Sequence, residues 1–268
     1  MFNDFVINPA VAGTKDYYQI RSNHRFQWVG LSDPPLTNTM SIYGPHGRLP
    51  MGFGGYLYND VTGPTSRTGI TGAYAYNIEI NRDIRISGGI SMGLMQYKLD
   101  GAQLITKDAT DLAIQPVVYN SYIPDASIGF YAYADEWYAG LSISQLFNNK
   151  LKFFDENIGL NRLKSHLYLT GGYKYMINQD LVAEPSIIIK GTAPKIFQFD
   201  LTARVIYQEM VWGGLSYRLK DAVSVLLGYI YNEQFYFGYA YDIGTTDLRK
   251  FNSGSHEIMI GYRFNDIR

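Results

Sequence analysis

The chain contains no cysteine, which excludes disulfide bonds, thiolate metal sites and cysteine nucleophiles. It also lacks a long apolar run, because the longest, around residues 222–231, is far shorter than the roughly 20 residues that a membrane-spanning helix needs. Blocks of basic residues are missing as well, and the formal net charge is only −1. Nucleic-acid recognition requires a concentrated excess of Lys and Arg, so no nucleic-acid partner is expected.

Residues in catalytic or metal-binding patterns are also scarce. The four histidines, His24, His46, His166 and His256, lie far apart, and none has metal-ligand spacing. Ser255 precedes His256, but neighbours along a strand face opposite ways, so they do not predict a catalytic pair. The chain has no phosphate-binding loop of the Gly-x-x-x-x-Gly-Lys-Ser/Thr kind. The sequence therefore predicts no enzymatic activity, no cofactor and no metal.

Alternation of apolar and polar side chains is the dominant pattern that the chain does have. Between residues 196 and 207 one face carries Phe197, Phe199, Leu201, Ala203, Val205 and Tyr207, and the other carries Gln198, Asp200, Thr202 and Arg204. Successive side chains of a strand leave opposite sides of a sheet, so the segment is predicted to be a strand with one apolar face.

Comparable stretches predict about fourteen strands, an even number that is typical of bacterial outer-membrane barrels. They lie at residues 16–30, 34–44, 50–59, 66–78, 82–98, 125–134, 136–145, 165–178, 180–190, 196–207, 209–218, 221–231, 234–242 and 256–265. Without a spanning helix, a closed barrel is the remaining way to cross a membrane. Aromatic residues make up 15% of the chain, with 24 Tyr, which suits a barrel with aromatic girdles.

The predicted fold is therefore all-β, a transmembrane outer-membrane β-barrel of antiparallel strands. Residues 1–268 are expected to form one domain, in which 16–265 build the barrel and 1–15 form a periplasmic or lumenal segment. Every second connection is very short, as at residues 79–81, 135, 178–179, 208 and 232–233, and these are predicted to be periplasmic turns. The long connections 99–124, 146–164 and 243–255 are predicted to be extracellular loops. Gly52, Gly54, Gly55, Gly88 and Gly89 lie inside strands, where glycine permits curvature or close backbone approach.

Charged residues on the polar faces are predicted to line the lumen. The candidate residues are Arg21, Arg25, Arg67, Arg85, Asp200, Arg204, Arg218, Glu257 and Arg263. Fourteen strands enclose more space than wall side chains fill, so the lumen must hold water, a plug or a guest. Two interpretations of the charges stay open: an ion-pair network that stiffens the wall, or a docking surface for another polypeptide, for which Arg is well suited.

The predicted loop 146–164 is unusually apolar for a solvated segment. It carries Phe147, Phe153 and Phe154, which are candidate partner-contact residues. Either the loop folds over the barrel mouth and buries its aromatic side chains, or it exposes them to a partner.

Four motifs together resemble the PorP/SprF family of Bacteroidetes outer-membrane proteins. They are residues 8–13 (NPAVAG), 25–28 (RFQW), 63–69 (GPTSRTG) and 253–264 (SGSHEIMIGYRF). The resemblance covers essentially the whole chain, and it implies that Met1 is an internal methionine of a precursor whose signal peptide precedes this numbering.

The resemblance also implies a location in the outer membrane, in contact with its lipid, and a role in type IX secretion and gliding motility. The expected partners are a secreted cell-surface adhesin or its C-terminal domain, and periplasmic or lipoprotein components of the machinery. The expected function is recruitment or anchoring of the adhesin. The alternative is a passive channel or small-molecule transporter, which a wide polar lumen would also suit.

Overall fold

The computed structural model describes residues 3–104, 117–149, 162–192 and 196–265. In this part of the chain the strands form one antiparallel sheet that closes on itself. The strands are β1 (Tyr18–Phe26), β2 (Leu36–Pro45), β3 (Met51–Thr62), β4 (Thr65–Glu79), β5 (Arg85–Asp100), β6 (Val118–Tyr133), β7 (Trp137–Ser144), β8 (His166–Tyr173), β9 (Tyr175–Met176), β10 (Leu181–Thr192), β11 (Ile196–Tyr207), β12 (Val211–Arg218), β13 (Ala222–Tyr231), β14 (Phe235–Gly244) and β15 (Ser255–Phe264).

Closure requires each strand to have a partner on both sides, and the register provides it. Each wall strand pairs with the next along the chain, β10 joins β11, and β1 pairs with β15. The short β9 continues β8 after Lys174, and both pair with β10, so they form one wall strand. The wall is thus a closed fourteen-stranded antiparallel barrel, and the predicted fold class is confirmed.

The largest boundary difference is at β6, which begins at Val118 instead of residue 125. Asn120 and Pro124 interrupt the apolar pattern there, so the sequence suggested a loop. In the structure β5 extends to Asp100 and pairs with this segment. The other neighbour, β7, pairs with β6 only from Ile128 onward, which leaves Pro124 on a locally free edge where its missing N–H is tolerated.

The two faces of the wall differ as the alternation predicts. On β11, Leu201 is 52% exposed on the outside, whereas the neighbouring Asp200 is 1% exposed and faces the lumen. The outer faces of the other strands are similarly apolar, as in Met92 of β5 and Leu215 of β12. Because lipid contacts these positions, their apolar side chains are exposed without penalty.

The connections differ between the two ends of the barrel. One end carries both the start of β1 and the end of β15, together with the short turns 46–50, 80–84, 134–136, 177–180, 208–210 and 232–234. The opposite end carries the long connections 27–35, 101–117, 145–165 and 245–254, as well as three short ones. The first end is periplasmic and the second extracellular, as predicted. Two-residue turns such as Gln208–Glu209 have positive φ at both positions, which matches the right-handed strand twist.

Helical structure in the described ranges is limited to very short elements. The longest elements of this kind in the described ranges are a four-residue α-helix, α1 (Asp4–Ile7), and a five-residue 3-10 helix over Asp247–Phe251. No helix among these residues is both long and apolar enough to cross a membrane.

A charge on the outer face should destabilise the barrel. Leu215 lies in the middle of β12 and is 59% exposed to the outside. We expect Leu215→Arg to lower the free energy of unfolding by about 2–4 kcal/mol, because the guanidinium would sit in hydrocarbon. Leu248→Arg, in the extracellular 3-10 helix, is the control and should change little. Urea unfolding in lipid vesicles measures both, and equal effects would contradict a lipid-facing position for Leu215.

Candidate functional site

The N-terminal segment lies inside the barrel. Helix α1 and a following 3-10 helix (Pro9–Val11) cross the lumen, and Phe5, Ala10 and Ala12 are almost completely buried there. The chain runs from β2, where Asn3 Nδ2 donates to Ser41 Oγ (2.7 Å), towards β6 and β7, and then back past β5 to β3. We call residues 3–14 the lumenal segment.

Lumen-facing glycines make room for the lumenal segment. A Cβ atom on Gly89 would lie 2.6 Å from Ala10 Cα, and one on Gly52 would overlap the backbone of Ala12. A Cβ on Gly54 would lie 2.6 Å from the Phe5 ring. Of the two roles expected for glycine inside strands, curvature or close approach, these three positions show close approach, and a side chain at any of them would collide with the segment. Their strand neighbours Gly55 and Gly88 face outwards and make no contact with the segment.

Hydrogen bonds hold the lumenal segment against the wall. Asn8 Nδ2 donates to the Phe130 carbonyl (3.0 Å), and Ser142 Oγ donates to the Ile7 carbonyl (2.6 Å). Asn8 Oδ1 also accepts from Ala10 N–H (3.0 Å), which begins the 3-10 helix. Buried backbone groups are costly without partners, so these bonds fix the position of the segment.

An aromatic cluster anchors the start of the segment. The Phe5 ring stacks on Tyr43 with centroids 4.4 Å apart and meets Tyr56 edge-on at 6.1 Å. Tyr131 and Tyr133 belong to the same buried cluster. Phe5 is 1% exposed, so its whole side chain contributes to holding the segment in the lumen.

A chain of ion pairs lines the opposite wall near the extracellular end. The pairs are Lys190 Nζ–Asp200 Oδ2 (2.7 Å), Arg218 Nε–Asp200 Oδ1 (3.4 Å), Arg218 Nη1–Asp242 Oδ2 (3.7 Å), Arg25 Nη2–Asp242 Oδ2 (2.6 Å) and Arg25 Nη1–Glu257 Oε2 (3.1 Å). They connect β10, β11, β12, β14, β15 and β1. Each carboxylate contacts at least one cation, as buried charges require.

All nine charged residues that the sequence suggested lie on lumen-facing positions, but at different heights. Only Arg25, Asp200, Arg218 and Glu257 belong to the extracellular ion-pair chain. Arg204 pairs with Glu184 (2.6 Å) and lies over the Trp212 ring, and Arg67 lies over Tyr97 near the extracellular mouth. Arg85 and Arg263 line the periplasmic mouth. Arg21 interacts electrostatically with Tyr43 of β2 and with Asp4 of the lumenal segment.

Sequence reasoning missed Glu184, Lys190 and Asp242. Glu184 and Lys190 lie on β10, where three consecutive isoleucines, residues 187–189, conceal the alternation. Ile188 in fact faces the lumen. The signal for Asp242 was present, because Tyr239 and Tyr241 mark the outer face of β14 and so place Ala240 and Asp242 inside.

The extracellular mouth is partly covered by the root of the loop between β7 and β8. Leu163 packs inward on Met95 and Ile123. Phe147, in contrast, is 49% exposed. The predicted contact residues Phe153 and Phe154 lie outside the described residues. The two interpretations of this loop therefore both stay open.

A cavity of about 410 Å³ opens at the periplasmic end. We call it the periplasmic vestibule; its lining includes Lys15, Tyr17, Arg85, Tyr133, Lys174 and Arg263. A second cavity of about 300 Å³ shares much of this lining and extends inward to Asp4 and Glu184. Farther up, the cavity beside Trp212 holds only about 70 Å³.

Candidate metal-ligating side chains are not clustered in the described part of the chain. The described ranges contain no group of three or more His, Asp or Glu side chains that could hold a metal ion. His24 and His256 lie on outward-facing positions, His46 lies in a periplasmic turn, and His166 lies near the extracellular end of the lumen. The lumen thus presents a packed segment, an ion-paired wall and a basic vestibule.

Solved structures of outer-membrane barrels are similar to this chain. The CymD monoaromatic hydrocarbon channel matches with a TM-score of 0.58 and 11% identity, covering 99% of this chain and 94% of that one. The Pseudomonas putida toluene transporter TodX matches at 0.54 and 10%, covering 98% and 94%. A Pseudomonas aeruginosa FadL homologue matches at 0.51 and 10%, covering 97% and 93%. At such identities the similarity shows the fold alone.

Comparison with curated protein sequences finds no match. Comparison with protein families does: the family described as type IX secretion system membrane protein PorP/SprF matches residues 1–262. This range contains the lumenal segment and the whole barrel except the last two residues of β15. The chain therefore belongs to the PorP/SprF family, the outer-membrane proteins associated with type IX secretion.

Proposed function

We propose that this protein is an accessory barrel that recruits or anchors a secreted surface adhesin and also contacts periplasmic components of the secretion machinery. The observation that carries the proposal is the occupied lumen, where the chain's own residues 3–14 pack against β2–β7. A lumen filled in this way favours a partner that binds at the barrel mouths. The task is binding, and free energy for export would come from a motor elsewhere.

The root of the loop between β7 and β8 supports an extracellular contact surface. Asn149 Nδ2 donates to the Pro124 carbonyl (2.6 Å), and Ser165 N–H donates to Asn148 Oδ1 (2.9 Å). Leu163 anchors the same root in the mouth. Phe147 is thereby presented to the outside from a fixed base, and rigid exposed aromatics are common anchors of protein interfaces.

A passive channel or small-molecule transporter is the second candidate. It is favoured by the polar cavities of the periplasmic half and by the fold shared with proteins described as hydrocarbon channels. Planar bilayers separate the two functions. Steady open-channel current from the unmodified barrel would contradict the accessory role, whereas a closed barrel would contradict the passive channel.

Recovery of the surface protein tests the recruitment directly. A tagged barrel is purified from native membranes, and co-purifying proteins are quantified by mass spectrometry. We expect Phe147→Asp to reduce recovery of the secreted adhesin about tenfold, because an aromatic anchor is lost from the interface. Phe251→Asp is the matched control, since Phe251 is also an exposed extracellular phenylalanine. Equal recovery from both variants would show that Phe147 does not contact the adhesin.

A further inference from the structure

The periplasmic vestibule has an excess of positive charge. Lys15, Arg85, Lys174 and Arg263 contribute to its lining, against Asp16 and Asp135. In the part of the chain that the structure describes, neither Lys15 nor Lys174 has a carboxylate within the 4.0 Å of an ion pair. In the extracellular ion-pair chain, by contrast, wall strands supply both the cation and the carboxylate of each pair.

Two effects lower the pKa of Lys15, although its side chain is exposed at the cavity. They are partial desolvation by the surrounding protein and the nearby Lys174 ammonium, and together they outweigh the opposite influence of Glu184, Asp135 and Asp16. A negative charge placed between the two ammonium groups would relieve their repulsion. Such a charge would also replace part of the solvation that the two ammonium groups lose in a concave site.

The shape of the vestibule limits what can enter. The two cavities, about 410 and 300 Å³, share much of their lining and are comparable in size to ordinary ligand sites, and the lumenal segment contributes Asp4 and Thr14 to that lining. Tyr17 and Tyr133 supply ring surface beside the cations, and the Arg263 guanidinium lies 4.2 Å from the centre of the Tyr17 ring. The site can therefore hold a short length of chain that enters from the periplasm.

We propose that the periplasmic vestibule binds an acidic polypeptide segment of a periplasmic partner. Spaced carboxylates suit a site whose cations are distributed around a rim, and tyrosine hydroxyls can hydrogen-bond to a backbone. Asp16 and Asp135 at the same rim disfavour a compact polyanion such as phosphate. The inference rests on the proposed accessory role, for which it names the periplasmic site and the chemistry of its partner.

Binding of labelled peptides to the purified full-length barrel tests the inference. The probe is a short fluorescent peptide of alternating Glu and Ser, and the reference is the same peptide with Gln in place of Glu. Fluorescence anisotropy should show binding of the acidic peptide alone. The double variant Lys15→Gln/Lys174→Gln should weaken that binding about tenfold or more, because two charge-assisted contacts are lost.

The control variant is Lys220→Gln/Lys250→Gln, which removes two lysines from the extracellular end and should leave the affinity unchanged. Equal binding of both peptides, or no effect of the vestibule variant, would overturn the inference. Displacement of the peptide by equimolar inorganic phosphate would also overturn it, since the site would then be a general anion site. Adhesin recovery in the Phe147 experiment is independent of these results, so failure here leaves the accessory role to be judged separately.

Discussion

Replacing Gly89 with valine is expected to displace the lumenal segment from the barrel wall. The new Cβ would lie 2.6 Å from both Ala10 Cα and the Pro9 carbonyl carbon, and these are backbone atoms that cannot rotate away. Overpacking of this kind costs about 1–3 kcal/mol, enough to raise the undocked population between about fivefold and about a hundredfold. The barrel should remain folded, because Gly89 lies in a strand that valine favours.

Cysteine labelling measures this displacement cleanly, since the chain has no cysteine of its own. Cysteine is introduced at Ala10, which is fully buried, and its reaction with a bulky maleimide is timed. Gly88→Val is the matched control, because a Cβ there points outwards and meets nothing closer than 4.0 Å. Faster labelling with valine at position 89 alone is the expected result. Equal rates in the two variants would show that the segment is not held by this contact.

The second large effect is expected at Asp200. Its carboxylate contacts Lys190 and Arg218, and the residue is 1% exposed. Asp200→Ala should lower the free energy of unfolding by about 3–5 kcal/mol, because two partly buried cations lose a shared counter-charge. Heat-modifiable migration on gels and urea unfolding in vesicles both measure this change.

Asp247→Ala is the control for Asp200→Ala. Asp247 pairs with Lys250 at 2.8 Å, a comparable distance, but both side chains are largely exposed. Removal of such a pair should cost no more than about 1 kcal/mol. If the two substitutions have similar effects, the extracellular ion-pair chain contributes little to stability, and its charges would remain available for the docking role that the sequence left open.

The wall of the barrel was predictable because alternation is a local property of the sequence. In β11 the inside and outside positions follow directly from the order of the residues, and the closed sheet confirmed them. Prediction failed where a strand did not alternate. The three isoleucines of β10 and Pro124 of β6 are tolerated because of how the neighbouring strands pair with them. That pairing is known only once the register of the sheet is known.

The contents of the lumen were less predictable than its wall. Nothing in residues 3–14 alone indicates that Ala10 will lie against Gly89, because the two are far apart in the chain. Glycine at positions 52, 54 and 89 indicated either curvature or a close approach, but not which of the two applies or what approaches. Likewise, the alternation of side chains along each strand identifies which arginines point inward. It does not show whether an arginine lies near the extracellular end, in the middle or at the periplasmic mouth, because that depends on the position of each strand in the barrel.

The pairing of β1 with β15 has a consequence for how the molecule is made. This seam joins the two ends of the barrel sequence, so the cylinder is incomplete until its C-terminal strand is in place. The lumenal segment is attached to β1 at the periplasmic end and needs no threading through the finished wall. Pairing of β15 with β1 therefore completes the wall around the lumenal segment, and an assembly factor that held the open seam would lie next to both.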